Sequence, residues 1–221
     1  MYFTGALFIV KNLQVTLFKK YAHYLKGKVL DIGCGSKPYR KYLLAVHEYV
    51  GMDENREVKP DVLGAAQNIA FSGEYFDSVI CTEVLEHLPE PQIAIQEIRR
   101  VLKNGGFLYL TVPQEWSLHY EPNDFYRFTK FGIKYLLEKN EFEIIALERI
   151  GGIFSLLGQR IIDVFWQFTV DCFRPILGAK WAERIASILW LIVSLLFYFL
   201  GKVADKIDKR EAIGWAVLAK K

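Results

Sequence analysis

The stretch "VLDIGCGSKPYRKYL", Val29 to Leu43, decides the fold. An apolar run closes on Asp31, and Gly33 and Gly35 follow with Cys34 between them. Two glycines so close together let the backbone turn sharply and approach a ligand where a Cβ would block it. Such a turn at the end of a buried strand marks the ligand edge of a doubly wound α/β sheet, outside the carboxyl ends of the strands. A helix is predicted from Pro38 to about Val46, with Ser36 or Lys37 near its cap and Pro38 in its first turn.

Reading outward, Lys28–Gly33, "EYVGMD" (Glu48–Asp53) and the start of "FDSVICTEVLEHL" (Phe76–Leu88) are strands. "PQIAIQEIRRVL" has helical apolar spacing at Ile93, Ile95, Ile98, Val101 and Leu102. It is expected to stop at "KNGG", where Gly105 and Gly106 suit a left-handed C-terminal turn. "FLYLTVP" (Phe107–Pro113) is a strand, Thr129–Asn140 a helix, Glu141–Ile150 extended, and "AIGWAVLAKK" (Ala212–Lys221) a last strand. Strands alternate with helices, and several strands are apolar throughout. That pattern implies a parallel sheet covered on both faces.

Asp53 stands 20 residues after Gly33 at the end of the second strand, where a carboxylate can accept from both hydroxyls of a ribose. Glycine turn and ribose acid together indicate an adenosine-type cofactor. A dinucleotide fingerprint starting at Gly33 needs glycine at position 38, which is Pro38. A nicotinamide dehydrogenase is opposed on that ground. Asp31 would repel a pyrophosphate and suits a cationic amino-acid group.

With "VLDIGCG", "YVGMD", "FDSVICTEVLEHL" and "LKNGGFLYLTVP" in this order over roughly residues 28–150, the chain resembles the class I S-adenosylmethionine-dependent methyltransferases, especially the broad type 11 small-molecule group. The resemblance implies a Rossmann-like α/β fold with a seven-stranded, mostly parallel sheet. Its last strand, here "GWAVLAKK", runs antiparallel between the fifth and sixth. It also implies S-adenosyl-L-methionine as cofactor. Asp31, Gly33, Cys34 and Gly35 then form the turn beside the methionine moiety, Asp53 holds the ribose, and Met52 lies against the adenine. Thr82 and Glu83 stand beside the methionine end. The family often has an acid where Ala65 stands, so adenine binding falls to backbone groups around Ala66 and to apolar packing.

Methyl transfer to oxygen or nitrogen requires loss of a proton, so a base near the cofactor is expected. His87 in "EVLEHL" and His119 in "SLHYEPNDFYRFT" both follow strands at the ligand edge. His119 is the candidate general base, while His87 is either a second catalytic group or a hydrogen-bonding residue of its loop. Tyr120, Asp124, Tyr126 and Arg127 make the same segment a candidate substrate-facing loop. The alternative for Arg127 is an ion pair with Asp124 that holds the loop.

The three cysteines, Cys34, Cys81 and Cys172, are far apart, so neither a disulfide framework nor a metal cluster is expected, and the compartment is reducing. The start "MYFTGALFIVKNL" is a poor signal peptide. The net charge of +3 conceals an acidic body with two basic, apolar appendages. Nucleic-acid binding is not expected of such a pattern, whereas an anionic membrane surface suits the appendages.

Residues 151–210 have a character of their own. Gln159, Asp163, Gln167 and Asp171 recur every four residues as a polar stripe on an otherwise apolar helix, which Pro175 and Gly178 should break. Ile185–Gly201 then runs 17 residues without a charge. At about 1.5 Å per residue it falls slightly short of a hydrocarbon core of about 30 Å. The insertion leaves a sheet strand near Ile150 and returns to another at Ile213, so a single crossing is excluded. A hairpin lying in the membrane interface is expected, with a soluble lid or a homodimer interface as the alternative cover for its apolar face.

The predicted organisation is an N-terminal helical arm (1–27), a methyltransferase core (28–150 and 211–221) and an apolar helical-hairpin insertion (151–210). The predicted function is S-adenosylmethionine-dependent methylation of a small or lipid-linked acceptor at oxygen, in the cytoplasm and peripheral to the inner face of the membrane. The competing reading is a non-catalytic cofactor-fold scaffold that uses the hairpin to bind a partner.

Overall fold

A seven-stranded sheet organises the chain in the computed structural model, which describes residues 6–207 and 209–221. The strands are β1 (Gly27–Ile32), β2 (Val46–Asp53), β3 (Val62–Leu63), β4 (Phe76–Thr82), β5 (Leu102–Pro113), β6 (Glu143–Ile150) and β7 (Gly214–Lys220). Their order across the sheet is β3-β2-β1-β4-β5-β7-β6. β1 runs parallel to β2 and β4, and β4 parallel to β5, whereas β7 is antiparallel to β5. Val29, Leu30, Val79, Ile80, Leu108, Leu110, Val217 and Leu218 are wholly buried. Both faces are therefore covered, which is why these strands read as unbroken apolar runs. The sheet order reverses at β1 and β4, and the glycine turn that follows β1 lies at this switch point.

Among the described residues, five α-helices accompany the sheet: α1 (Phe8–Tyr21), α2 (Pro91–Val101), α3 (Lys130–Lys139), α4 (Ile153–Leu177) and α5 (Ala179–Ala204). α2 buries Ala94, Ile95, Ile98 and Val101, while Ile93 stands outside that face. Thr129 caps α3 by accepting from the Gly132 amide at 3.0 Å.

Three local expectations are corrected. No α-helix follows the glycine turn. Lys37 takes a left-handed φ of 56°, which interrupts helical geometry, and only a 3-10 turn (Arg40–Tyr42) precedes β2. Tyr39 and Tyr42 turn instead toward Phe18 of α1, with ring centroids 4.4 and 6.4 Å away. "KNGG" does not cap α2, because β5 begins at Leu102. The register jumps from Phe76↔Leu102 to Ser78↔Phe107, and Gly105 at φ 78° lets the extra residues bulge out. Pro175 does not end α4. It lies within the last turn, and Gly178 at φ 78° ends the helix.

The chain divides into two compact units, residues 1–16 with 149–213, and residues 17–148 with 214–221. The boundary between the units falls within α1, between Thr16 and Leu17. The first five residues of the chain, like Asp208, lie outside the described residues.

In the first unit, α4 and α5 pair antiparallel. Phe8, Ile9, Ile162 and Tyr198 form one buried cluster, and Val170, Ala182 and Ala186 another. The helices come close because Gly158 faces Phe197, where a Cβ would stand 2.3 Å from the Phe197 Cβ. Buried Asp205 accepts from the Phe154 amide at 2.8 Å and from the Ser155 hydroxyl at 2.6 Å, capping the start of α4 with negative charge. The polar stripe is partly internal. Gln159 is fully buried and donates to the Ala6 carbonyl and to Asp163, both at 2.7 Å.

Candidate active site

The glycine turn and Asp53 build each other. Gly33 and Gly35 take left-handed φ values of 64° and 47°. The turn is then pinned to β2: the Cys34 amide donates to the Met52 carbonyl at 3.1 Å, and the Gly35 amide to Asp53 Oδ2 at 3.0 Å. Asp53 Oδ1 accepts from the Asn55 amide at 2.9 Å. Each carboxylate oxygen keeps a second lone pair for a ligand. A Cβ at Gly35 would meet nothing within 4 Å, so the space above the turn is open. At Gly33 a Cβ would stand 2.4 Å from Val84 Cγ2, and glycine is required there by packing as well.

Asp31 lies beneath the turn and is 1% exposed. Its Oδ2 accepts from the Tyr49 hydroxyl, and its Oδ1 has no hydrogen-bond partner. Burial raises its carboxyl from 3.8 to about 7, against the lowering effect of Tyr49.

β4 ends at Thr82, and Glu83 follows at φ 53°, its amide held by the Thr111 carbonyl at 3.1 Å. The 3-10 turn Leu85–His87 then carries Glu86 inward and His87 to the surface of a cavity. Glu86 is fully buried, and neither carboxylate oxygen has a hydrogen-bond partner. Burial, followed by the charge of Glu83, pushes its carboxyl well above the usual range. His87 Nδ1 lies 2.7 Å from the Asn123 carbonyl, and the His87 and His119 rings are 4.7 Å apart between centroids.

The loop after β5 is held by Arg127. Its guanidinium grips Asp124 at 2.6 and 2.8 Å and donates to the Trp116 and Ser117 carbonyls at 3.1 and 2.9 Å. Asp124 also accepts from the His119 amide at 3.0 Å, and its carboxyl is held far below the ordinary carboxylate value, chiefly by Arg127. The Tyr126 hydroxyl donates to the Pro89 carbonyl at 2.8 Å.

A cavity of about 450 Å³ brings the two sets together, lined by Gly33, Asp53, Ala66, Glu83, His87 and Tyr120 among others. Several residues expected at the ligand stand elsewhere. Cys34 is buried with its thiol toward Gly51, and burial pushes it to about 11. Met52 is wholly buried, close under Gly64, and Thr82 pairs with Thr111 inside the sheet. Asp124, Tyr126 and Arg127, expected to face the substrate, hold the loop instead, because their polar groups are satisfied within it. Glu86 and Asn123 escaped the sequence reading. A lone glutamate in "EVLEHL" gives no periodic signal that it turns inward.

A family profile described as a methyltransferase domain matches residues 30–110. Among curated proteins, the ubiquinone biosynthesis O-methyltransferase of Shewanella sp. (strain ANA-3) is 31% identical over 122 residues, covering 48% of this chain and 52% of that protein. Its namesake in Hydrogenovibrio crunogenus is 24% identical over 123 residues, covering 48% and 51%. The chain therefore spans about half the length of these relatives. Among solved structures, a SAM-dependent methyltransferase from Archaeoglobus fulgidus superposes with a TM-score of 0.59 at 17% identity, covering 96% of this chain and 94% of that one.

Proposed function

We propose that the chain is a class I S-adenosylmethionine-dependent methyltransferase that methylates a hydroxyl of a small, apolar acceptor, a reading supported by the methyltransferase-domain profile over residues 30–110. One observation carries this reading: a single cavity is lined both by the Gly33 and Asp53 backbone cradle and by His87 and Tyr120. The cradle suits the cofactor. The space a Cβ would fill at Gly35 is open, Asp53 offers lone pairs to a ribose, and the unpartnered Asp31 Oδ1 is a buried acceptor suited to a cationic amino group. S-adenosylmethionine, when bound, supplies an electrophilic sulfonium methyl.

The chain's own part is to bind, orient and take a proton. Asp53 and the turn fix the adenosine, and Ala66 lends backbone and apolar surface for the adenine. Tyr120 borders the acceptor space. The acceptor's proton goes to an imidazole of the His87–His119 pair, with His119 as the base. Positioning in a partly closed cavity supplies much of the rate. The relatives' name, ubiquinone biosynthesis O-methyltransferase, supports oxygen as the acceptor atom.

The hairpin supports an apolar or lipid-linked acceptor reached from the cytoplasmic membrane face. Val164, Phe168 and Ile176 of α4, and Ile188, Ile192, Leu196, Phe199 and Val203 of α5, point outward in helical rows. α5 is long and apolar enough to cross a membrane, and because both ends of the insertion are strands of one sheet, which opposes a single crossing, a hairpin lying along the interface is the reading we adopt.

A tritiated methyl-transfer assay against fractionated lipid and soluble extracts tests the reading. Incorporation into a lipid-soluble product is expected, with His119→Ala lowering turnover by about 10²–10⁴-fold. Near-normal turnover of that variant would remove His119 as the base. Absence of binding by S-adenosylmethionine and its demethylated product in calorimetry would favour a scaffold.

A further inference from the structure

Glu86, His87 and His119 each bring one ligand atom into a group whose members all lie within 4.8 Å of one another. Their arrangement is more specific than proximity. The carbonyl of Asn123 can only accept, so the contact at 2.7 Å places the proton of neutral His87 on Nδ1 and leaves the Nε2 lone pair free. His119 repeats this, with Nδ1 3.1 Å from the Ser117 carbonyl and 3.5 Å from Asp124 Oδ2. Ligating histidines are oriented in this manner, by a carbonyl or carboxylate on the other ring nitrogen. His87 Nε2 faces Glu86 Oε1 at 3.8 Å. Glu86 is a buried carboxyl with neither oxygen hydrogen-bonded, so both are available to a cation.

We propose that Glu86, His87 and His119 bind one divalent transition-metal cation at the acceptor side of the cavity. Two imidazoles and one carboxylate favour Mn²⁺, Fe²⁺, Co²⁺ or Zn²⁺ over Mg²⁺, which prefers an all-oxygen shell. Three protein ligands leave positions open, and His87 lines the cavity, so an acceptor oxygen can complete the shell. Such a cation would lower the pKa of a hydroxyl bound to it, the proton leaving to solvent. The inference rests on the methyl-transfer reading only for the acceptor's identity as a hydroxyl. Within that reading it changes His119 from base to ligand.

The probe is Mn²⁺, which avoids the thiols, added to the full chain after chelator treatment. Electron paramagnetic resonance counts free Mn²⁺, and proton NMR follows the four histidines, His23, His47, His87 and His119. One Mn²⁺ per chain is expected, broadening the His87 and His119 ring signals and sparing His23 and His47. Glu86→Gln and His119→Gln should each weaken binding by at least about tenfold. His119 is partly exposed, so its variant keeps the test valid if the Glu86 variant folds poorly.

Failure of the wild-type chain to bind Mn²⁺, broadening of His23 or His47 instead, or unchanged affinity in the His119 variant overturns the site. Binding of S-adenosylhomocysteine is measured in the same samples. Mn²⁺ binding without nucleoside binding upholds the metal site while removing the methyl-transfer reading. Nucleoside binding with chelator-insensitive methyl transfer and no Mn²⁺ uptake does the reverse.

Discussion

Asp31 carries the sharpest pH consequence of any single residue. Its folded-state carboxyl titrates near 7 rather than 3.8, so the folded chain keeps a proton that the unfolded chain has released above about pH 4. Stability therefore falls as pH rises from about 4 to 7, and the cost is complete above 7. Asp31→Asn removes it. The variant should melt higher than the wild type at pH 8, by about 2–4 kcal/mol, with the difference shrinking toward pH 4. Thermal melts across that range check the sign.

A cationic amino group beside Asp31 favours its ionised form, so affinity for the cofactor should rise from pH 6 to pH 8, by up to about tenfold. Calorimetry in buffers of different ionisation enthalpy would register the proton released. A flat affinity profile would place Asp31 away from the amine. Asp53 makes a separate case. Asp53→Ala removes the acceptor that also pins Gly35, and should weaken S-adenosylhomocysteine binding by about 1.5–3 kcal/mol.

At this scale the sequence was readable where backbone geometry dictates residue type. Gly33 and Gly35 take left-handed φ values, and Asp53 accepts from the Gly35 amide. Met52 points away from the cavity because alternate strand positions face opposite sides, and Cys34 does so because the turn, pinned to the Met52 carbonyl, aims its thiol at Gly51. Glu86 was invisible because burial of an acid has no local signature.

Among elements, the strands announced themselves through apolar runs, and β7 through its separation from the rest by a segment of different character. β3 did not, since two residues give no period. The bulge in β5 was mistaken for a helix cap because Gly105 supplies a left-handed residue in either setting. The α4–α5 pairing depends on a contact that spacing cannot reveal. Gly158 packs so near Phe197 that an added methyl must displace the ring or part the helices. Gly158→Ala gains about 1 kcal/mol of helix propensity but overpacks a filled contact. A net loss of about 1–2 kcal/mol is expected in denaturant unfolding of the hairpin unit, with S-adenosylhomocysteine affinity unchanged. A stabilised variant would mean that the helices do not meet at Gly158.

For the whole molecule, the unresolved question is what covers the outward rows of α4 and α5. A monomer rarely exposes so continuous an apolar surface. The hairpin unit also carries Arg174, Lys180, Arg184, Lys202 and Lys206, so an anionic membrane satisfies both features. The sequence showed the apolar content and the return of the chain to the sheet. It did not show that Phe8, Ile9 and Phe18 are buried while Leu7 stays exposed. Binding should then rest chiefly on the hairpin. The wild type is expected to float with anionic vesicles and to release as salt shortens the Debye length. Ile192 and Phe199 are 75% and 57% exposed, so Ile192→Asp with Phe199→Asp leaves the interior intact while removing about 1.5–3 kcal/mol of burial at each site. Flotation should drop by more than about tenfold while the chain still binds S-adenosylhomocysteine. If the double variant floats as well as the wild type, the hairpin is not the membrane contact. If instead the wild type sediments as a dimer and the variant as a monomer, the same rows cover one another between two copies.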